Sequence, residues 1–216
     1  MNHLELVTII VIVANALVSI KGFNDFSFFE RYKFNIGAIK RGEQVRMITS
    51  GFLHADLGHL IVNMFTLYFF ASVVINYLSD TKFLIVYFVS LLAGNLLSLF
   101  IHKDEYHYSA VGASGAVTGV LYAAILLYPE MHIGFLFIPL PIPAYVFGIL
   151  YLLYSIYGMK RRNDNIGHTA HFGGAIGGLL VTILFYPEVV IEHPLMVILL
   201  AIPIIILFIL EKAGKL

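Results

Sequence analysis

The sequence contains no cysteine and no tryptophan, and only 12% of its 216 residues are charged. The absence of cysteine excludes disulfides, thiolate zinc sites and cysteine nucleophiles. The formal net charge is zero, and no basic tail or stripe of Lys and Arg indicates nucleic-acid binding. Hydrophobic residues make up 60% of the chain, and the mean hydropathy of +0.90 lies far above the range of soluble domains. These values predict an integral membrane protein.

Asp, Glu, Lys and Arg are missing from seven stretches, and about 20 apolar residues cross the hydrocarbon core as a helix. The predicted spans are 6–20, 60–78, 83–101, 109–128, 143–159, 166–186 and 194–210. Prolines at positions 139, 141 and 143 separate 131–142 from the fifth span, so that segment is predicted as an interfacial loop. The expected fold is an all-α, polytopic membrane helix bundle that forms a single domain over 1–216.

The only long loop, 21–57, mixes polar and aromatic residues, and we expect it to be structured and to lie on the membrane surface. The span before it has an alternative interpretation as a signal peptide, because Ala-Asn-Ala at 14–16 resembles a cleavage site. However, no Lys or Arg precedes this span and Glu5 is acidic. These features favour an uncleaved first helix.

Three of the predicted spans open with polar residues, which in hydrocarbon need a partner or a wet cavity. The second opens with "HADLGHLIVN", which places His59 and Asn63 one helical turn apart on one face. The fourth opens with "GASG" around Ser114, and the sixth opens with "GHTAHFGGAIGG", which contains His171. Alternate spans run in the same direction, so the three clusters share one face of the membrane.

Small residues repeat at four-residue spacing on the fourth and sixth spans. The two sets are Gly115, Gly119 and Ala123 on the fourth, and Ala170, Gly174 and Gly178 on the sixth. Such seams let helix backbones approach each other closely. The pattern therefore predicts that these two spans pack together and hold Ser114 and His171 within hydrogen-bonding distance.

A serine in the first turn of a helix lies beside unpaired N–H groups and the positive end of the helix dipole, which favour a developing oxyanion. The flanking Gly112 and Gly115 let a substrate backbone approach, and a neutral His171 can take the hydroxyl proton and return it to a leaving amine. No Asp or Glu lies in a span, so packing or a hydroxyl group must orient the histidine. His59 and Asn63 would add side-chain donors to the oxyanion hole.

These motifs resemble those of the rhomboid intramembrane serine proteases, in the family's order. "GASG" at 112–115 resembles the nucleophile motif, and "AHFGGAIGG" at 170–178 resembles the Ala-His-x-x-Gly-x-x-x-Gly helix. The segment at 54–63, which begins with His54, resembles the His-x-x-x-x-His-x-x-x-Asn motif. Upstream, "EQVRMIT" at 43–49 resembles the Trp-Arg motif, with Val45 in place of Trp and Arg46 as the Arg.

The resemblance implies Ser114 as nucleophile and His171 as base, with His59, Asn63 and the Ser114 amide as oxyanion hole. It also implies a six-helix core with a seventh, C-terminal transmembrane helix as an addition, and no cofactor or metal. The implied partners are the lipid bilayer and membrane-embedded protein substrates, not nucleic acid. Such substrates are cut near the top of a helix after entering laterally, beside the fifth helix, into a water-filled hollow.

One departure from the family leaves two interpretations open. Four residues after the serine, many rhomboids carry an aromatic that stacks on the catalytic imidazole, but this chain has Thr118. Either the Thr118 hydroxyl helps to hold His171, or the base is less well oriented.

Two other functions compete with a protease. A rhomboid-like pseudoprotease binds membrane clients without cutting them, but such proteins typically lack the Ser or the His that this chain retains. A transporter or channel would continue its polar path through the lower halves of the spans, where Leu, Phe, Val and Ile predominate.

The predicted orientation rests on conflicting signals. All Lys and Arg residues except Lys82 lie on the side of Ser114, which the positive-inside rule assigns to the cytoplasm. The family resemblance places the site outside. The charges of loop 21–57 can be discounted if it is folded, but those at 160–162 cannot. We expect a cell-membrane protein whose site faces the extracytoplasmic side, and the sequence indicates neither the oligomeric state nor the cleavage motif.

Overall fold

The computed structural model describes residues 3–135, 138–161 and 166–216. Its first part forms α1 (His3–Asn24), α2 (Phe26–Tyr32), β1 (Phe34–Asn35), α3 (Ile36–Lys40), α4 (Arg46–Thr49) and α5 (Leu57–Tyr77). The rest forms α6 (Asp80–Ile101), β2 (Ser109–Ala110), α7 (Ser114–Leu127), β3 (His132–Phe135), β4 (Ile138–Pro143), α8 (Ala144–Arg161), α9 (His168–Phe185), α10 (Val189–Glu192) and α11 (Pro194–Lys212). The predicted polytopic helix bundle is confirmed.

Five helices, namely α1, α5, α6, α9 and α11, are long and apolar enough to cross a membrane. The other two predicted spans correspond to α7 and α8, and that all seven cross the membrane stays a prediction. At a rise of about 1.5 Å per residue, the 14 residues of α7 extend only about 21 Å, whereas the hydrocarbon core is about 30 Å thick. α7 is therefore too short to cross the hydrocarbon core by itself.

The fourth span was predicted to begin at residue 109, but α7 begins at Ser114. The residues before it form strand β2, which pairs antiparallel with β1 from the long first loop. The backbone then turns at Gly112, whose φ of +125° is a conformation that favours glycine. This turn lets a helix start directly at the serine.

The segment 131–142 was predicted as a loop, but most of it pairs as a small hairpin. Strands β3 and β4 are antiparallel, with Ile133 opposite Ile142 and His132 opposite Pro143. Prolines exclude a helix here, yet they are compatible with the edge of a two-stranded ribbon. The two short sheets are the β structure that the sequence did not predict in an otherwise helical chain.

The predicted small-residue seam is the contact between α7 and α9. A Cβ atom on Gly174 would overlap the carbonyl oxygen of Gly115, and a Cβ atom on Gly178 would overlap that of Gly119. Every residue of α7 after Ser114 is buried. α7, which begins with Ser114, is therefore the centre of the bundle, and its distance from α9 is set by backbone contact.

Arg46 holds the long first loop together. Its Nε and Nη2 donate to Oε2 of Glu43 at 2.9 and 2.6 Å. Its Nη1 donates to the carbonyl oxygens of Glu30 and Lys33 at 2.8 and 2.9 Å. Val45, at the position of the family's Trp, is 57% exposed. In this loop, hydrogen bonds from the buried Arg46 anchor the segment without an aromatic neighbour at position 45.

Candidate active site

Ser114 and His171 come together at the starts of two packed helices. Ser114 is the first residue of α7, and His171 lies in the first turn of α9. The Ser114 Oγ lies 3.0 Å from Nε2 of His171, which is only 3% exposed. This distance is that of a hydrogen bond, and a serine proton can pass along it to the imidazole.

The second ring nitrogen of His171 faces hydroxyl groups of α8. Nδ1 lies 3.1 Å from the Tyr151 hydroxyl and 3.3 Å from the Ser155 Oγ. The Tyr151 ring also stacks on the imidazole, with centroids 5.0 Å apart and planes at 30°. The sequence predicted an orienting hydroxyl or packing contact and offered Thr118 as one interpretation, whereas the hydroxyls that face Nδ1 belong to Tyr151 and Ser155.

Thr118 lies behind this contact. Its Oγ1 donates to the carbonyl oxygen of Ser114 at 2.7 Å. The aromatic ring that stacks on His171 comes from Tyr151 of α8. Both interpretations of Thr118 stay predictions.

His59 and Asn63 lie on the facing helix, α5. Asp56 caps this helix by accepting a hydrogen bond from the His59 N–H at 2.8 Å. The His59 ring lies over Gly112, because a Cβ atom there would be 2.6 Å from Cε1 of His59. Asn63 donates one amide N–H to the His59 carbonyl at 2.9 Å and has a second N–H for another acceptor. Both side chains thus face the space around the serine.

His54 connects α1 to the residues just before Ser114. The Ser19 hydroxyl donates to the Phe52 carbonyl at 2.9 Å, so its oxygen accepts from Nδ1 of His54 at 2.8 Å. The Ala113 N–H donates to Nε2 of His54 at 3.4 Å. Burial, with a smaller contribution from the nearby His59, lowers the pKa of His54 to about 3. His54 is therefore neutral, and its ring links Ser19 of α1 to Ala113, the residue before Ser114.

Ser50, which the sequence did not indicate, also connects the first loop to the residues before Ser114. The Gly112 N–H donates to the Ser50 carbonyl at 3.0 Å. Asn95, buried in α6, donates to the Ser50 Oγ at 3.2 Å and to the Met47 carbonyl at 2.8 Å. Asn95 lies in an apolar span and so requires a polar partner, but the sequence did not indicate which one.

A cavity of about 510 Å³ joins these groups. Ser114, His171, His59 and Asn63 all line it. Its walls include Val62 and Thr66 of α5, Val117 and Leu121 of α7, and Phe147, Tyr151 and Tyr154 of α8. Within the part of the chain that the structure describes, no group of three or more His, Asp or Glu side chains is placed to hold a metal ion. The cavity is mainly apolar, with its polar groups gathered around the serine.

The fold and site define a polytopic membrane protein in which a serine and a histidine meet at helix starts inside the bundle. Comparison with known families agrees with this class. Residues 41–188 match the model of the rhomboid domain, and the chain belongs to the rhomboid family. The resemblance found in the motifs is thereby confirmed. α1 precedes the matched region and α11 follows it.

Curated relatives come from bacteria and from mitochondria. The Bacillus subtilis (strain 168) protein YdcA, named as a candidate rhomboid protease, is 32% identical over 70% of this chain and 71% of its own length. The Arabidopsis thaliana "RHOMBOID-like protein 12, mitochondrial" is 29% identical over 76% of this chain. The yeast "Rhomboid protein 1, mitochondrial" is 31% identical over 63% of this chain. The chain spans 54% of the plant protein and 40% of the yeast protein.

Proposed function

We propose that the protein is an intramembrane serine endopeptidase that cuts membrane-embedded proteins through a Ser114–His171 dyad. The observation that carries the proposal is the 3.0 Å contact between Ser114 Oγ and His171 Nε2 at a cavity inside the bundle. A serine at a helix start, a neighbouring imidazole and polar donors around them are the parts that acyl transfer needs.

In the first half of the reaction, the Ser114 Oγ attacks the carbonyl carbon of the scissile peptide bond. The hydroxyl proton passes to Nε2 of His171, and the carbonyl oxygen becomes an oxyanion. The Ser114 amide, at the free N-terminal end of α7, and the side chains of His59 and Asn63 are the donors that would hold this oxyanion. The C–N bond then breaks, and His171 returns the proton to the leaving amine. The product is an ester on Ser114.

In the second half, water attacks the ester carbonyl while His171 takes one of its protons. The ester bond breaks, the proton passes to the Ser114 Oγ, and a carboxylic acid leaves. The net reaction consumes one water and restores both residues. The cavity that Ser114 and His171 line would hold this water.

The cavity walls support a membrane-embedded substrate. Val62 of α5 and Phe147 of α8 line the same cavity as Ser114, and we propose that an extended segment enters between these two helices. Small or helix-breaking residues would let a substrate helix unwind there. Only an unwound segment exposes its carbonyl carbon, because helical backbone groups are hydrogen-bonded to each other.

The decisive experiment for this function is labelling of the purified protein with a fluorophosphonate probe, followed by cleavage of a transmembrane substrate in liposomes. Ser114→Ala and His171→Ala should each abolish both signals. Ser72→Ala and His107→Ala are matched controls, because both residues are exposed and lie away from the cavity. A folded wild type that neither labels nor cuts would refute the protease and favour a client-binding protein or a transporter.

We further propose one domain with seven crossing helices, in a cell membrane, with the site on the extracytoplasmic side. Three basic residues of the first loop are paired with acidic ones: Lys21 with Asp25, Lys33 with Glu30, and Arg46 with Glu43. Acidic partners have little effect on the positive-inside rule, so we discount the basic residues of this loop only because the loop is folded. Lys160 and Arg161 end α8 on the side of the site and still oppose the assignment, and the third basic residue, Arg162, lies outside the described residues.

The absence of native cysteine makes orientation directly measurable. In intact bacterial cells expressing the chain, His107→Cys lies on the side of Ser114 and Glu130→Cys lies at the opposite end of α7. An impermeant maleimide should label the first variant and spare the second. The reverse pattern would place the site in the cytoplasm.

A further inference from the structure

The imidazole of His171 is held from α8 as well as from α7. Its Nδ1 faces both the Tyr151 hydroxyl at 3.1 Å and the Ser155 Oγ at 3.3 Å. These two residues lie one turn apart on a single face of α8. Among the described residues, two neutral oxygens thus lie where the third member of a catalytic triad would lie.

The chemistry of the dyad determines the direction of these hydrogen bonds. A base that accepts the Ser114 proton at Nε2 must carry its own proton at Nδ1. The oxygens of Tyr151 and Ser155 are then acceptors, and they select this tautomer of His171. When His171 becomes an imidazolium, both ring N–H groups need acceptors, and the Nδ1 side already has them.

The position of α8 is itself tightly defined on both sides of this contact. The Tyr122 hydroxyl of α7 donates to the Gly148 carbonyl at 2.9 Å. Near the other end, a Cβ atom on Gly158 would overlap the ring of His168, one turn before His171. Tyr151 and Ser155 lie between these two close contacts, so their hydroxyls are presented by a fixed stretch of helix.

We propose that Tyr151 and Ser155 are the positioning residues of this dyad, and that they set the tautomer and ring plane of His171 through Nδ1. The inference rests on the proposed function and adds the groups that orient its base. Tyr151 supplies both a hydroxyl acceptor and the stacked ring. Position 118 carries the small Thr118, and the ring that stacks on the base comes from Tyr151 of α8.

The test compares variants that remove one contact at a time. Tyr151→Phe removes the hydroxyl and keeps the ring, Tyr151→Leu removes both, and Ser155→Ala removes the second acceptor. Tyr157→Phe is the matched control, because Tyr157 lies on the same helix but is 52% exposed and does not line the cavity. The readouts are the second-order rate of probe labelling, kcat and KM for substrate cleavage, and the unfolding temperature.

The labelling rate and kcat should fall about tenfold in Tyr151→Phe, equivalent to about 1.4 kcal/mol, and further in Tyr151→Leu and in Tyr151→Phe/Ser155→Ala. KM and the unfolding temperature of Tyr151→Phe should stay close to wild type, as should every readout of Tyr157→Phe. Rates within about twofold of wild type in both Tyr151→Phe and the double variant would overturn the inference. If Ser114→Ala and His171→Ala still abolished activity in that case, the proposed protease function would stand, and only the role of Tyr151 and Ser155 would be refuted.

A second readout does not depend on activity. Nitrogen NMR of isotope-labelled histidine, with His171→Ala used for assignment, reports which ring nitrogen of His171 carries the proton. Wild type should show the Nδ1-protonated tautomer, and the double variant should show a mixture of tautomers. An unchanged tautomer in the double variant would overturn the inference, even if the wild type proved inactive as a protease.

Discussion

Gly112→Ala tests whether the turn before the serine shapes the oxyanion hole. The wild-type φ of +125° costs an L-residue about 1–3 kcal/mol of backbone strain. In addition, the new methyl carbon would lie 2.6 Å from Cε1 and 2.8 Å from Nε2 of His59, closer than unbonded atoms can approach. Either His59 or the turn before Ser114 must move. We therefore expect the variant to lose the hydrogen bond from His59 to the oxyanion as well as stability.

Removal of one oxyanion donor lowers kcat by about 10²–10³-fold. We therefore expect the kcat of Gly112→Ala for a transmembrane substrate in liposomes to fall at least about 100-fold, with a loss of about 1–3 kcal/mol in stability. Gly42→Ala separates the two effects. Gly42 also has a positive φ, of +104°, but a Cβ atom there would meet nothing within 4 Å. It should lose stability and keep its kcat.

His59→Ala completes a double-mutant cycle. If the collision with His59 is the cause, Gly112→Ala should lower kcat no further in the His59→Ala background. The result that would refute this reasoning is a stable Gly112→Ala protein whose kcat matches that of Gly42→Ala. An additive loss in the double variant would instead indicate that the turn itself, and not His59, is disturbed.

Three further predictions follow from other contacts. Because the pKa of His54 is lowered to about 3 from 6.5, stability should be constant above pH 6.5 and fall as the pH drops below it, by up to about 2.7 kcal/mol at pH 4.5. His54→Gln should flatten that part of the thermal unfolding profile, and an identical profile would exclude His54 as its cause. Gly174→Val should destabilise the fold by about 1–3 kcal/mol and abolish probe labelling by separating α7 from α9, whereas Gly134→Val, with open space around it, should do neither. Arg46→Ala should cost about 1–3 kcal/mol by thermal unfolding, because it removes hydrogen bonds to two carbonyls and a carboxylate, whereas Arg41→Ala, with a side chain 71% exposed, should change stability little.

Much of the bundle could be predicted because hydrocarbon imposes strong one-dimensional patterns. Runs without charge identified the long helices, since a buried charge is costly in lipid. The four-residue spacing of small residues identified the α7–α9 seam, because two helix backbones can approach closely only where each turn carries glycine or alanine. The shared direction of alternate spans placed His59, Ser114 and His171 at one end of the bundle.

The pairing of β1 with β2 could not be predicted, because its two partners are two residues long and more than 70 positions apart in the chain. Short strands carry no periodic signal, so the start of α7 was placed five residues too early. Ser19, Ser50 and Asn95 were missed for a related reason. A single polar residue in an apolar span requires a partner, but only the folded chain shows which one.

The sequence by itself determined that this chain is a membrane protein, where its long apolar helices lie and that Ser114 and His171 are the candidate pair. These depend on residue type and local spacing. The tertiary structure alone decided how the histidine is oriented. Tyr151 and Ser155 lie on α8, which packs closely against α7 and α11 at Gly148 and against His168 of α9 at Gly158. Contacts of that kind depend on three-dimensional fit between helices, which no spacing within one helix records.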